Sequence, residues 1–342
     1  MAFRFFRRIR IAPGVSVNLS KSGPSLSIGP RGAKVTAGPR GVRRTVGIPG
    51  TGAYYTSHKG YRASSSNRPP PSVAPPEDRL SLGFFQRLTI PKGERQFVEG
   101  MRQLVAGNEK AAMASFSQAS GDPDAAFLAG ILALKRKDYP AAEKHLKRAK
   151  AGHARLGRHF GKYGLNAAVE LAITEEVSAV VGVDLRGVLL ALAEVYQHQG
   201  RWKEAVGPLK ALHRQDGNDM VVRLSLAELA IEESGTKRSC QTVVELAEGI
   251  ENDSPIHAAL LLYRGMALHR LGLLPAARDT LTTALRRTRD RSDERLRAIR
   301  YQRALVYEAL GQANRARDEL GRIYAEDPQY EDVAARLGLR QP

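Results

Sequence analysis

Residues 189–212 read LLALAEVYQHQGRWKEAVGPLKAL, and this stretch decides the fold of most of the chain. Apolar residues recur at helical spacing on both sides of Gly200, which predicts two amphipathic helices joined by a tight turn at that glycine. The small residues Ala193 and Ala205, one on each helix, are 12 positions apart. Small side chains at this spacing let two antiparallel helices approach each other closely around the turn.

The same spacing occurs in four more copies, at Gly100 and Ala112, Gly130 and Ala142, Gly265 and Ala277, and Ala304 and Ala316. Further turn glycines are Gly107, Gly272 and Gly311. A degenerate copy near residues 220–252 contains Cys240, and its turn should be lengthened around Glu233 to Ser239. In the copy at residues 189–212, Gly207-Pro208 should kink or delay the second helix because proline lacks a backbone N–H. Repeats of this kind predict a solenoid whose units contact mainly their neighbours.

This pattern resembles the tetratricopeptide repeat over residues 84–342. The resemblance implies a helical solenoid that binds a peptide or helix of a protein partner in a groove lined by the first helices. Carried over by position, the residues implied to line the groove are Lys135, Glu194, Gln197, His198, His269, Arg270, Tyr301 and Glu308. Their mixed charges argue against a groove dedicated to a carboxylate.

The N-terminal part of the chain has a very different charge. The protein carries a net charge of +18, and thirteen Lys or Arg residues precede Glu77, the first acidic residue. Such asymmetry between parts of a chain indicates two modules with different roles.

Alternating apolar and polar residues at 15–20 and 25–28, broken by Gly-Pro-Arg-Gly at 29–32 and 38–41, predict β-strands in a meander. A β-solenoid coil is the alternative. Phe3-Arg4-Phe5, the segment 18–23, the Gly-Pro-Arg-Gly turns and Ile48-Pro49-Gly50-Thr51-Gly52 resemble domain of unknown function 4236, a small module of bacterial proteins. The resemblance covers residues 2–57 and implies a compact β-module without an assigned activity.

The basic side chains of this module leave three interpretations open: a solvated surface, contact with nucleic acid or another polyanion, and contact with an anionic membrane surface. The candidate polyanion contacts are Arg4, Arg7, Arg8, Arg10, Arg31, Arg40, Arg43 and Arg44. Gly47 to Gly52 does not read as a phosphate-binding loop, because no Lys-Ser/Thr pair follows Gly52 and a strand is predicted there instead of a helix.

The sequence thus predicts a mainly α protein: a tetratricopeptide-type helical solenoid with a small N-terminal all-β module and a Pro/Ser-rich linker. We place the β-module at residues 1–60, the disordered linker at 61–83 and the solenoid at 84–342. Period-two alternation near 168–184 indicates a β-hairpin inserted in the solenoid, with a helix as the alternative.

Little in the chain points to catalysis. One cysteine excludes an intramolecular disulfide and a thiolate zinc cluster, and the eight histidines form no metal-binding or nucleophile motif. No apolar run is long enough to span a membrane, so cytoplasmic residence is expected. We expect a non-enzymatic protein–protein interaction scaffold without cofactor or metal. The alternative is a nucleic-acid-associated adaptor that binds polyanions through the N-terminal module.

Overall fold

The structure of the protein is a computed structural model, and it describes residues 15–20, 23–28, 33–38, 41–47, 54–59, 90–119, 121–163, 165, 168–172, 178–233, 235–289 and 291–339. Contacts divide the chain into unit 1, Met1–Ala172 with Ser178–Arg201, and unit 2, Ile173–Val177 with Trp202–Pro342. The predicted linker, residues 61–83, lies outside the described residues.

Unit 1 begins with five strands, which are β1 (Val15–Ser20), β2 (Gly23–Ile28), β3 (Ala33–Gly38), β4 (Gly41–Gly47) and β5 (Tyr54–Lys59). Each strand pairs antiparallel with the next, so the order in the sheet follows the order in the chain. The Gly-Pro-Arg-Gly stretches fall between β2 and β3 and between β3 and β4.

The register of this sheet aligns residues of the five strands in rows of paired Cα positions. One row of paired Cα positions consists of Ser16, Ser27, Thr36, Arg43 and His58. The adjacent row consists of Val17, Leu26, Ala37, Val42 and Lys59. Consecutive residues of a strand belong to opposite faces, so the first row defines a polar face that contains no carboxylate.

The helices of unit 1 are α1 (Lys92–Val105), α2 (Glu109–Gln118), α3 (Pro123–Lys135), α4 (Tyr139–Ala151), α5 (Arg158–Lys162) and α6 (Leu185–His198). Helices α1 and α2 pack as one hairpin, and α3 and α4 as a second. The first helices α1, α3 and α6 lie side by side in that order. At the start of α3, Asp122 Oδ1 accepts a hydrogen bond from Ala125 N at 2.9 Å, which caps the helix.

Unit 2 consists of α7 (Trp202–Gln215), α8 (Met220–Glu233), α9 (Lys237–Leu246), α10 (Pro255–Arg270), α11 (Leu274–Leu285), α12 (Asp293–Ala309), α13 (Ala313–Glu326) and α14 (Val333–Arg336). Helices α8 with α9, α10 with α11, and α12 with α13 form hairpins, and the first helices α8, α10 and α12 lie side by side. Helix α7 is not delayed by Gly207-Pro208, because it begins at Trp202 and continues through Pro208.

The turns between paired helices follow from backbone geometry. Gly107, Gly200, Gly272 and Gly311 all have φ between 69° and 81°, in the left-handed region. In the turn between α3 and α4, the corresponding residue is Lys137, with φ 61°. The following residue, Asp138, donates its N–H to Ala133 O at 2.9 Å, which is the hydrogen bond of a Schellman motif. Lys137 therefore adopts the same strained conformation that glycine adopts freely elsewhere.

Replacing Lys137 with glycine should raise the free energy of unfolding by about 0.5–1 kcal/mol. A side chain at a left-handed position costs about 1–2 kcal/mol, and the extra freedom of glycine in the unfolded chain offsets part of the gain. The matched control is Lys144→Gly, at an exposed position inside α4, which should lower stability by about 1 kcal/mol. Urea unfolding measures both, and a destabilised Lys137→Gly protein would contradict the argument.

Small residues let the paired helices approach each other closely. They do so by facing a large side chain of the other helix, not another small residue. A Cβ added to Gly265 would lie 2.5 Å from Leu281, and one added to Gly130 would lie 2.6 Å from Leu146. Gly265 and Gly130 therefore each accommodate a large apolar side chain of the second helix. Ala277, fully buried, packs in the same hairpin as Gly265.

Replacing Ala277 with leucine should lower the free energy of unfolding by about 1–3 kcal/mol, because a tightly packed site has no space for the added methylenes. Ala313→Leu is the matched control. Ala313 is exposed at the start of α13, so this substitution should change stability by less than about 0.5 kcal/mol. Melting curves of the two variants test the repeat register. If Ala313→Leu is the more damaging change, the register is wrong.

A segment between α4 and α6 departs from the repeat. It contains a 3₁₀ turn (His153–Arg155), α5, and two antiparallel strands, β6 (Ala168–Ala172) and β7 (Ser178–Gly182). Leu171, Ala179 and Val181 are buried, and β7 lies against α6. The two strands therefore bury these three apolar side chains on the side that faces the helices.

Candidate functional site

The groove residues of unit 1 are largely engaged with neighbouring side chains. Lys135 at the end of α3 pairs with Glu109 of α2. On α6, Glu194 and Gln197 are buried, and His198 stacks on Tyr139 of α4 with ring centroids 4.8 Å apart. The Nε2 atom of His198 also lies 3.4 Å from Glu194 Oε1. A ligand would reach these α6 residues only after displacing such contacts.

The groove residues on α10 lie near the end of α8. Arg270 Nη1 donates to Ile231 O at 2.9 Å, so the guanidinium group satisfies a carbonyl at the C-terminal end of that helix. Burial and the neighbouring charge of Arg270 lower the pKa of His269. His269 is half-buried, so part of its ring can contact a ligand, and its role remains a prediction.

The groove residues on α12 contact residues that follow α13. The Tyr301 hydroxyl donates to Asp332 Oδ1 at 2.6 Å, and the Tyr301 ring meets Tyr330 edge-on. Burial and the hydrogen bond to Asp332 raise the pKa of Tyr301. Arg336 Nη1 donates to Glu308 Oε2 at 2.5 Å. The C-terminal segment thus occupies the position on α12 that the resemblance assigned to a ligand.

Of the candidate polyanion contacts, Arg43 and Arg44 belong to β4, and the others lie outside the described residues: Arg4, Arg7, Arg8, Arg10, Arg31 and Arg40. Arg43 pairs in register with His58, in the polar row, and Arg44 pairs with Ser57. The two arginines are consecutive and so belong to opposite faces of the sheet.

Unit 2 contains an open cleft that sequence reasoning missed. We call it the α7–α9 cleft, because α7 and α9 form its walls and α8 forms its floor. Its volume is about 750 Å³. Leu226 and Ala230 of α8 and Val206 of α7 supply apolar surface, while Lys210 and Glu245 stand at opposite rims. The degenerate repeat copy near residues 220–252 was the feature of the sequence that could have indicated this cleft, since a changed turn alters the spacing of neighbouring helices.

A buried polar network attaches α5 to the start of α3. Asp124, fully buried, accepts hydrogen bonds from Gly157 N at 2.6 Å and His159 N at 2.8 Å. The His159 Nε2 atom lies 2.5 Å from Asp122 Oδ2. From α1, Glu94 accepts hydrogen bonds from Lys162 Nζ and Tyr163 Oη, both at 2.5 Å. These hydrogen bonds hold the segment 157–163 against α1 and the start of α3. The network therefore has a structural role.

The charges of the network depend on one another. The hydrogen bond to Asp122 raises the pKa of His159, assisted by the nearby carboxylates Asp124 and Glu94. Burial acts to raise the pKa of Asp122, but hydrogen bonds from His159 and Ala125 N hold it below its usual value. Burial raises the pKa of Asp124. His159 therefore keeps its proton to a higher pH in the folded protein than in the unfolded chain.

Stability should fall as pH rises through the elevated pKa of His159. The folded protein binds this proton more tightly, so its contribution is complete below about pH 6.5 and is lost above that value. We expect the stability difference between the wild type and His159→Gln, measured by urea unfolding, to shrink from pH 6 to pH 9. A difference for His159→Gln that is constant with pH would contradict this.

The described residues have three further features. They contain no group of three or more His, Cys, Asp or Glu side chains arranged to hold a metal ion. Cys240 is a free, buried thiol. None of the described helices combines the length and the apolar character that crossing a membrane requires.

Comparisons with known proteins agree with a chain of two parts. Residues 3–56 match the family model described as Protein of unknown function (DUF4236). The sequence matches no curated protein. Among solved structures, the N-terminal domain of the EccA1 ATPase from the ESX-1 secretion system of Mycobacterium tuberculosis is similar with a TM-score of 0.50 and 18% identity, over 72% of this chain and 88% of that one.

Two further structures are similar with lower scores. A tetratricopeptide repeat protein from Parabacteroides merdae has a TM-score of 0.38 and 13% identity, over 77% of this chain and 90% of that one. YrrB, a TPR protein with an unusual peptide-binding site, has a TM-score of 0.32 and 13% identity, over 71% and 91%. The family match confirms the resemblance of the N-terminal part to DUF4236, and the resemblance of the helical part to tetratricopeptide repeats is also confirmed.

Proposed function

We propose that the protein is a non-enzymatic scaffold that binds a protein partner through its helical array. The observation that carries this proposal is the placement of the first helices. Within unit 2, α8, α10 and α12 lie side by side, and within unit 1 so do α1, α3 and α6. Aligned helices of a repeat array form a continuous surface suited to an extended or helical segment of another protein.

The modules have separate roles in this proposal. Residues 84–342 bind the partner, residues 61–83 act as a spacer, and residues 1–60 form an all-β module that localises the assembly or adds a second contact. Five strands paired in chain order support the all-β module. Among the groove residues, Arg270 and Glu308 are exposed, and Lys135, His198 and His269 are partly exposed.

Affinity capture with the full-length protein and with residues 84–342 tests the proposal. A specific partner should bind both saturably. Lys135→Glu or His269→Glu should weaken binding, because each changes charge on a first helix. Lys144→Glu, exposed on the second helix α4, is the matched control and should leave binding unchanged. A partner that needs only residues 1–60, or equal loss with all three variants, would overturn the proposal.

A second candidate function is polyanion binding by the N-terminal module. It is favoured by the polar row of the sheet, which contains Arg43 and His58 and no carboxylate, in a region without acidic residues before Glu77. Phosphate contacts by basic residues depend little on sequence and weaken steeply with salt.

Titration of the full-length protein with DNA, RNA and anionic vesicles distinguishes a nucleic acid from a membrane surface as the anionic ligand. Nucleic-acid binding should fall steeply with salt and should weaken when Arg40, Arg43 and Arg44 are replaced by alanine. Absence of binding to DNA and RNA at low salt removes this candidate. Salt-sensitive binding to vesicles alone assigns the module to a membrane surface instead.

A further inference from the structure

We propose that the α7–α9 cleft is a second binding surface, and that it takes a short amphipathic helix of a partner protein with an acidic residue on one flank and a basic residue on the other. This surface is distinct from the first-helix surface. Its walls are the second helices α7 and α9, and only its floor belongs to a first helix, α8.

Each of the three helices contributes one regular stripe to the cleft. From α7 come Val206, Lys210 and His213, which are spaced by four and three residues. From α8 come Arg223, Leu226 and Ala230. From α9 come Ser239, Thr242 and Leu246, together with Glu245. Such spacings place residues on a single helix face, so the cleft is bounded by three ordered faces.

The cleft has an apolar floor and one neutral end. Leu226 and Leu246 are almost completely buried, and Ala230 and Val206 are half-buried. Helices α7 and α9 both pack antiparallel to α8, so Val206 and Ser239, near their N-terminal ends, mark the same end of the cleft. An apolar ridge on a partner would bury its surface against the accessible parts of Val206 and Ala230, which is the main favourable contribution to such binding.

The other end carries opposite charges on its two walls. Lys210 stands on the α7 wall, and Glu245 and Glu248 stand on the α9 side, all exposed. Within the described part of the chain, none of these three side chains forms an ion pair. The exposed charges on the two walls can each pair with an opposite charge of a ligand. Arg223 is occupied, since it donates to Leu246 O and Glu248 O.

The dimensions favour a helix of limited length. A helix with its side chains is about 10–12 Å wide and rises 1.5 Å per residue, so a volume of about 750 Å³ accommodates on the order of five residues, or about one and a half turns. Two apolar residues at i and i+4 would cover the floor. Residues on the two flanks of this ridge would place an acidic group near Lys210 and a basic group near Glu245.

Fluorescence anisotropy with the full-length protein and four labelled helical peptides tests this inference. The mixed peptide has Leu at i and i+4 with Glu on one flank and Lys on the other. The second peptide replaces both Leu residues with Gln, the third has Glu on both flanks, and the fourth has Lys on both flanks. The mixed peptide should bind at least about tenfold more tightly than the Gln peptide, because the latter has no apolar ridge.

Charge reversal at the rims should change which peptide is preferred. Lys210→Glu gives two acidic walls, so it should weaken the mixed peptide by about twofold to fivefold and make the all-Lys peptide the best ligand. Lys203→Glu is the matched control, because Lys203 is exposed on α7 and outside the cleft. It should leave the preference among peptides unchanged.

Ala230→Arg should abolish binding of all four peptides by filling the floor, with circular dichroism to verify that the protein is folded. Equal affinity for the mixed and Gln peptides would overturn the inference. Equal effects of Lys210→Glu and Lys203→Glu would also overturn it, since they would indicate attraction by net charge alone. These outcomes do not depend on the first-helix surface, so the scaffold function can be tested separately.

Discussion

Replacing Glu319 with alanine should lower the free energy of unfolding by about 3–5 kcal/mol. Glu319 is almost completely buried in α13, and its Oε1 atom accepts a hydrogen bond from Arg303 Nη2 at 2.5 Å. Arg303 is itself 14% exposed, and its Nη1 atom donates to Thr282 Oγ1 at 3.3 Å. Removing the carboxylate leaves a guanidinium charge that water reaches poorly. Equilibrium urea unfolding measures the loss.

Two variants show whether the cost arises from the uncompensated charge. The double variant Arg303→Met with Glu319→Met should recover most of the stability, because replacing both members of a buried pair with apolar residues is often neutral. Glu326→Ala removes a more exposed carboxylate, 3.0 Å from Arg300, and should cost less than about 1 kcal/mol. If Glu319→Ala costs no more than Glu326→Ala, burial of the pair is not what stabilises the last hairpin.

Replacing Phe97 with alanine should also cost about 3–5 kcal/mol, because it leaves a cavity that the surrounding helices fill only in part. Phe97 of α1 is fully buried. Its ring centroid lies 5.3 Å from that of Phe160 and 5.0 Å from that of His159, both in the segment that departs from the repeat. The loss should therefore appear in global unfolding and in faster proteolysis of residues 153–163.

The control for this cavity is Leu339→Ala. Leu339 is 45% exposed, so its truncation should change stability by less than about 0.5 kcal/mol. Destabilisation by Phe97→Ala without faster cleavage near 153–163 would show that the segment is held by the polar network alone. Equal stability of the Phe97→Ala and Leu339→Ala proteins would contradict the packing argument.

Much of the helical array could be predicted because its signals are local. A turn such as Gly272 needs a left-handed residue within a few positions of the helix end, so the sequence marks it directly. Lys137 carries no such mark, yet the hairpin forms around it, because helix packing outweighs the cost of one strained residue. The predicted importance of small residues was right, while their large partners, such as Leu281 opposite Gly265, became visible only in three dimensions.

The candidate site was less predictable, because exposure is not a local property. Tyr301 and Glu308 occupy groove positions in the repeat pattern and both contact residues about 30 positions later, yet Tyr301 is buried while Glu308 stays exposed. The network of Asp122, Asp124 and His159 joins residues more than 30 positions apart. No periodicity in the chain relates such pairs.

The helix pairs and their turns followed from the amino-acid sequence alone, since apolar periodicity and turn residues act over short stretches of chain. The tertiary structure decided which groove residues stay accessible, how the segment 157–163 is attached, and that a cleft opens between α7 and α9. The physical reason is the same in each case. Burial and pairing depend on which distant residues meet, and that is settled only when the helices pack.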